Sequence, residues 1–155
     1  MTEISIVVPT YNEEENIKPF LQRTEKVLDK LGKSYEIIFA LDPSSDNTEK
    51  IILDEIKRNK NIKLLVFSRQ FGQPAATMAG IINCKGSYCV IIDVDLQDPP
   101  EKIEELYKKI ISGFEVVYAK RKSRKWETFF KKIISSIGYY LINKLSDIHI
   151  PRDAG

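Results

Sequence analysis

The run Tyr35-Glu36-Ile37-Ile38-Phe39-Ala40-Leu41 constrains this chain most. Seven residues almost without polar interruption make a strand buried on both faces, and such strands belong to mainly parallel sheets covered by helices above and below. Similar runs recur along the sequence: Ile4 to Val8, stopped by Pro9; Ile62 to Phe67; Tyr88 to Ile92; and Glu115 to Ala119 as a fifth strand. Helix-period segments separate them. For the first helix, Asn12 as the cap would put Pro19 in the interior, where it breaks a hydrogen bond. Asn16 as the cap puts Pro19 within the first turn, where its missing N–H is harmless, so Asn16 is the expected cap and Gly32 the stop. Asp46 and Glu49 have capping-box spacing for a helix through Lys57, Pro74 to Cys84 is a small-residue helix, and Pro100 opens a helix from Glu101 to Ser112. Strands alternating with helices imply βαβ units, hence an α/β fold of three layers with a mainly parallel sheet and helices on both faces.

That topology gathers the loops after each strand on one edge, where open parallel sheets bind ligands. Tyr11-Asn12-Glu13 follows the first strand, Asp42 the second, Ser68-Arg69 the third and Asp93-Val94-Asp95 the fourth. Read as the strand's tip, Asp93 and Asp95 point the same way and Val94 the other. Two carboxylates at ~4 Å repel by roughly 4 kcal/mol at intermediate dielectric, a cost that a hard divalent cation reverses. Oxygen-only ligation suits Mg²⁺ or Mn²⁺, with positions left for a diphosphate. A bare Asp-x-Asp also reads as two acids capping a helix or facing solvent; four loops converging on one edge favour the metal.

Other classes are excluded by what is missing. No G-x-G-x-x-G follows the first strand and no G-x-x-x-x-G-K-[ST] occurs, which sets aside dinucleotide Rossmann enzymes and P-loop NTPases. A net charge of +2, from 24 basic and 22 acidic residues, argues against a general nucleic-acid binder, although residues 120–132 form a local basic patch. Cys84, Cys89 and the single His149 cannot make a structural zinc site, and the thiols read as buried apolar groups of a reduced cytosolic protein. Met1-Thr2-Glu3 leads straight into a strand, so no signal peptide is expected, and no apolar run approaches the ~20 residues of a membrane span.

Four ordered motifs carry a resemblance. Val8-Pro9-Thr10-Tyr11-Asn12-Glu13-Glu14-Glu15-Asn16, Asp42-Pro43-Ser44-Ser45-Asp46-Asn47-Thr48, Ser68-Arg69-Gln70-Phe71-Gly72 and Asp93-Val94-Asp95-Leu96-Gln97-Asp98-Pro99-Pro100-Glu101 are similar to the successive signatures of family 2 glycosyltransferases with the GT-A fold. Within that family the chain most resembles the polyprenyl-phosphate glycosyltransferases, the group of bactoprenol glucosyltransferase and dolichyl-phosphate mannose synthase. The likeness extends over Val117 to Arg124 and Pro151-Arg152-Asp153-Ala154-Gly155.

The resemblance implies an inverting transfer of a hexose from a nucleoside-diphosphate sugar, UDP-sugar favoured, to a polyprenyl phosphate at the cytoplasmic membrane face, for cell-envelope glycan modification. Pro9, Tyr11 and Glu13 then cradle base and ribose, and Asp42 accepts from a base N–H; its competing reading is an Asp-Pro turn. Where the family often has Asp-Asp-Gly-Ser, this chain has Leu41-Asp42-Pro43-Ser44, without the first acid and the glycine. Arg69 matches an arginine near the nucleotide, or is a surface arginine. Asp93 contacts ribose or metal, Asp95 is the principal ligand of Mg²⁺ or Mn²⁺, and Gln97 borders donor sugar or acceptor phosphate, or is an ordinary loop residue. A phosphate acceptor is already ionised, so no strong base is needed. Arg121 and Arg124 are candidates to hold it, their alternative being a solvated basic loop, and Asp153 a candidate to orient it.

Residues 1–122 thus read as the donor-binding domain and 123–155 as an amphipathic interface helix with the start of an acceptor region. From Trp126 to Leu145, apolar residues recur at helical spacing beside lysines, which fits a helix lying in a membrane interface and equally a helix covering the sheet's open edge. Relatives of this type continue past the position of Gly155 into transmembrane helices. The expectation is a chain peripheral to or anchored at the inner membrane in its longer form, soluble as given, prone to homo-oligomerise through an open sheet edge, and weak or inactive in turnover by itself.

Overall fold

The computed structural model describes residues 2–119. The chain divides into two compact units, Met1–Gly113 and Phe114–Gly155.

In the first unit the order is β1 (Ile4–Thr10), α1 (Ile17–Leu31), β2 (Tyr35–Leu41), α2 (Thr48–Arg58), β3 (Ile62–Val66), α3 (Gln73–Ile82), β4 (Tyr88–Ile91) and α4 (Lys102–Ile110). The strands form one sheet in the order β3-β2-β1-β4, and all three pairings are parallel. This is the α/β architecture the alternation predicts. β1 is central and all seven of its residues are buried. Ile4, Ile6 and Val8 meet Ile17, Phe20 and Leu28 of α1, Ile52 of α2, and Ile103 and Tyr107 of α4 in one core cluster. On the opposite face α3 packs on β1 so closely that a Cβ at Gly80 would lie 2.2 Å from Val7 Cγ1, which explains the small residue there. Across the surface, Arg23 of α1 donates from Nε and Nη2 to both carboxylate oxygens of Glu101 at 2.9 and 2.6 Å, and Lys30 pairs with Glu104 at 2.8 Å, tying α1 to the start of α4.

β1 runs past Pro9, where the sequence reading stops it. The reason lies in the neighbouring strand: Val7 turns its carbonyl toward β4 and accepts from Ile92 N–H at 3.1 Å, and β4 ends there. Pro9, two residues on, faces the same edge beyond β4, so its missing N–H costs no ladder bond. Asn16 is the cap of α1 and Gly32 ends it with φ 63°, both as expected. The expected Asp46–Glu49 capping box does not form. Asp46 Oδ1 accepts from Thr48 N–H at 3.0 Å, and the N–H of Asn47 is taken by Glu14 from the neighbouring loop at 2.9 Å.

In the second unit only residues 114–119 are described. The expected strand from Glu115 to Ala119 is irregular backbone with no ladder partner among the described residues, and Val116 and Tyr118 are exposed. Its Val-Val-Tyr pattern supplies strand propensity, and propensity without a partner edge does not make a strand. The expected helix over residues 126–145, and with it Arg121, Arg124 and Asp153, lies outside the described residues.

Candidate functional site

Two loops are laced together at the carboxyl edge of the sheet. After β1 the backbone turns through Asn12 at φ 51°. Asn12 N–H donates to Ser44 Oγ at 3.0 Å, and its side-chain oxygen accepts from Ser45 N–H at 2.8 Å. Glu13 N–H donates to Thr48 Oγ1 at 2.8 Å, and Glu14 N–H to Asp46 Oδ2 at 3.1 Å. Burial alone would raise the Asp46 carboxyl, but the Thr48 hydroxyl and the N–H groups of Thr48 and Glu14 outweigh it and hold it below the usual value. The loops after β1 and β2 are therefore tied into one rim, with Pro43 standing where a glycine would allow more freedom.

The third loop is fastened from inside. Asp42, 3% exposed, accepts Phe71 N–H on one carboxylate oxygen at 3.1 Å and Gly72 N–H on the other at 2.8 Å. Gly72, with φ 85°, turns the chain into α3. Arg69 lies exposed on this loop with its guanidinium 4.6 Å from the centre of the Phe71 ring, a cation–π arrangement.

The fourth loop brings the acids. β4 ends at Ile91, so Asp93 and Asp95 lie beyond the strand in a turn, and strand alternation does not govern where they point. Ile92 and Val94 are buried in the core cluster and anchor the turn. Asp93 Oδ1 accepts from Gln73 Nε2 of α3 at 2.9 Å, and Asp95 Oδ1 accepts from Gln97 N–H at 2.9 Å, next to Leu96 at φ 62°.

These loops enclose a pocket of about 260 Å³. Pro9, Tyr11, Glu13, Asp42, Asp93 and Asp95, six of the residues singled out from the sequence, line it, together with Thr10, Gln73, Ala76 and Val94. Arg69 and Gln97 are exposed and do not line it. Gln73 is the residue sequence reasoning missed, because nothing in the sequence ties a glutamine at a helix start to an aspartate twenty positions on. Glu13, which lines the wall, also accepts from Asn16 Nδ2 at 2.6 Å.

The donor set is oxygen-only, and among the described residues no three His, Cys, Asp or Glu side chains converge as a metal cage. Two carboxylates from one loop in the lining of an open pocket fit a hard divalent ion whose remaining ligands would be water and phosphate oxygens. Asp93 and Asp95 are the residues that would hold it.

The fold and this acid-lined pocket at the strands' carboxyl ends define an α/β domain of the GT-A kind. The chain belongs to glycosyl transferase family 2, whose profile matches residues 5–154. It is 44% identical over 153 residues to YkcC of Bacillus subtilis (strain 168), which is named an uncharacterized glycosyltransferase, covering 99% of this chain and 47% of that protein. It is 42% identical over 153 residues to sll0501 of Synechocystis sp. (strain ATCC 27184 / PCC 6803 / Kazusa), likewise named an uncharacterized glycosyltransferase, covering 99% and 48%. The chain thus spans about half the length of these curated relatives. Among solved structures, S. aureus TarS 1-349 in complex with UDP-GlcNAc shares the fold with a TM-score of 0.56 at 20% identity, covering 79% of this chain and 39% of that one. TarS 1-349 without a named ligand aligns with a TM-score of 0.53 at 19% identity, over 97% of this chain and 51% of that one.

Proposed function

We propose that this chain is the donor-binding region of a metal-dependent hexosyltransferase that takes a UDP-sugar and delivers the sugar, with inversion, to a polyprenyl phosphate at the cytoplasmic face of a membrane. The observation that carries this reading is the convergence of Pro9, Tyr11, Glu13 and Asp42 with Asp93 and Asp95 on one pocket. About 260 Å³ is at the small end for a ligand cavity, enough for a nucleoside-sized group with diphosphate and sugar at the open rim. Tyr11, 45% exposed, offers a ring face at that rim for the base, and Glu13 an acceptor for the ribose. Asp42 has one N–H on each oxygen and keeps lone pairs for a base N–H. Asp93, steadied by Gln73, and Asp95, closed on its own turn, would hold Mg²⁺ or Mn²⁺, which supplies neutralisation of the diphosphate leaving group. A phosphate acceptor carries its own nucleophilic oxygen at neutral pH, which accords with a pocket whose lining, among the described residues, holds carboxylates and no histidine.

The lipid acceptor, with Arg121, Arg124 and Asp153 to position it, rests on the resemblance of the motifs. Among the described residues no helix is long and apolar enough to cross a membrane. A second reading is a nucleotide-binding module without turnover, in which Asp93 and Asp95 serve their contacts with Gln73 and the Gln97 N–H and hold no ion. Calorimetric titration with UDP and with GDP, each with and without Mg²⁺ or Mn²⁺, tests both. The proposal expects UDP binding that needs the metal. Binding indifferent to metal supports the module, and no binding of either nucleotide overturns both.

A further inference from the structure

The two cysteines take no part in the pocket. Cys84 follows the end of α3 and Cys89 is the second residue of β4; both are free thiols, and their sulfurs lie 3.5 Å apart. The sequence reading makes them buried apolar groups, yet Cys84 is only half-buried and Cys89 is exposed. The reason is position: β4 is an edge of the described sheet, and α3 is the one helix packed on that face among the described residues.

The turn that joins the two thiols is pinned on both sides. Lys85 N–H donates to Glu36 Oε1 at 2.6 Å and Gly86 N–H donates to Ser5 Oγ at 2.9 Å, while Ser5 Oγ donates to the same Glu36 oxygen at 2.5 Å. Glu36 and Ser5 are buried on the two central strands, so these anchors belong to the sheet itself. A Cβ on Gly86 would sit 2.7 Å from Ser5 N, which shows how tightly the turn is drawn in. Cys84 Sγ is further fixed by donating to the Gly80 carbonyl at 3.3 Å. The fold therefore holds two thiols 3.5 Å apart across a pinned turn, within reach of the bond of about 2.05 Å that a disulfide makes.

We propose that Cys84 and Cys89 form a reversible redox modification site that closes to an intramolecular disulfide on reaction with a low-molecular-weight disulfide such as oxidised glutathione. One protein thiolate attacks a sulfur of the small disulfide and releases one small thiolate. The second protein thiolate attacks the mixed disulfide and releases the other. Two protein thiols are oxidised, one small disulfide is reduced to two thiols, and two protons are handed over in the process. Partial desolvation of its sulfur, the Cys84 thiol beside it and the charge of Glu36 push the Cys89 thiol up to about 12, so the exchange is slow at neutral pH.

The full chain is equilibrated with reduced and oxidised glutathione across a series of ratios, natively and in denaturing urea, then acid-quenched for intact-mass and peptide analysis. The site is supported by a loss of two hydrogens per chain, a peptide linking Cys84 to Cys89, reversal by dithiothreitol, and a native equilibrium constant at least about tenfold above the urea value, some 30 mV for a two-electron couple. Equal constants in the two states overturn it, because the pinned turn would then contribute nothing. Glutathione adducts or disulfide-linked dimers in place of the internal bridge also overturn it.

Discussion

Replacing Asp42 with asparagine separates its two roles. The carboxylate is buried and each oxygen accepts one backbone N–H, from Phe71 and Gly72. Asparagine keeps one carbonyl oxygen but turns an NH₂ toward the other N–H, so one bond is lost and two donors face each other. A hydrogen bond to a charged group contributes about 1.5–3 kcal/mol, and the exposed loop lets water recover part of it, so a net loss of about 2 kcal/mol is expected. For a chain of this size that lowers the melting temperature by roughly 4–8 °C. Alanine leaves both N–H groups unpaired, and the loss rises to about 3–5 kcal/mol. The assay is urea and thermal unfolding in the absence of nucleotide. An asparagine variant that melts within about 1 °C of the parent would refute the reasoning, since Asp42 would then hold nothing in the free protein.

Other perturbations follow from single contacts. Gly80→Ala forces a methyl group against the buried Val7, and overpacking of that kind costs about 1–3 kcal/mol, more than alanine's helix preference returns; chemical denaturation should show the loss. Burial would raise the carboxyl of Glu36, but Lys63, Ser5 Oγ and Lys85 N–H together hold it below its ordinary 4.5. Its contribution to stability is therefore complete above pH 4.5 and is lost as pH falls through the lower folded value, and Glu36→Gln should flatten the acid limb of the stability profile. Gln73→Ala removes the donor that steadies Asp93; metal-dependent UDP affinity should drop severalfold while unfolding stays within about 0.5 kcal/mol of the parent, because Gln73 is exposed.

Strand and helix order was legible because burial on both faces writes itself as continuous apolar runs, and Tyr35–Leu41 needed no tertiary knowledge to be placed. The pocket was legible because parallel topology puts the loops after β1, β2 and β4 on one edge. What depends on partners was not. The Asp46 capping box gives way to lacing by Glu14 from another loop, Pro9 is accommodated by the shortness of a neighbouring strand, and residues 115–119 have no ladder partner among the described residues. The sequence points to the charge of Asp42, whereas both of its oxygens hold the loop before α3. Residue type alone makes Cys84 and Cys89 buried apolar groups, whereas the turn between them is fixed by Ser5 and Glu36, distant in sequence on the two central strands.

In the proposed function, Asp93 and Asp95 would hold a divalent ion against the diphosphate of a sugar nucleotide. Its most direct test is the ratio of UDP dissociation constants without and with Mn²⁺, measured for the parent chain and for Asp93→Ala and Asp95→Ala, each confirmed folded by its thermal transition. The account predicts a gain of at least about tenfold from Mn²⁺ in the parent, equivalent to about 1.4 kcal/mol, that disappears in both variants. A gain of the same size surviving in either variant would contradict it.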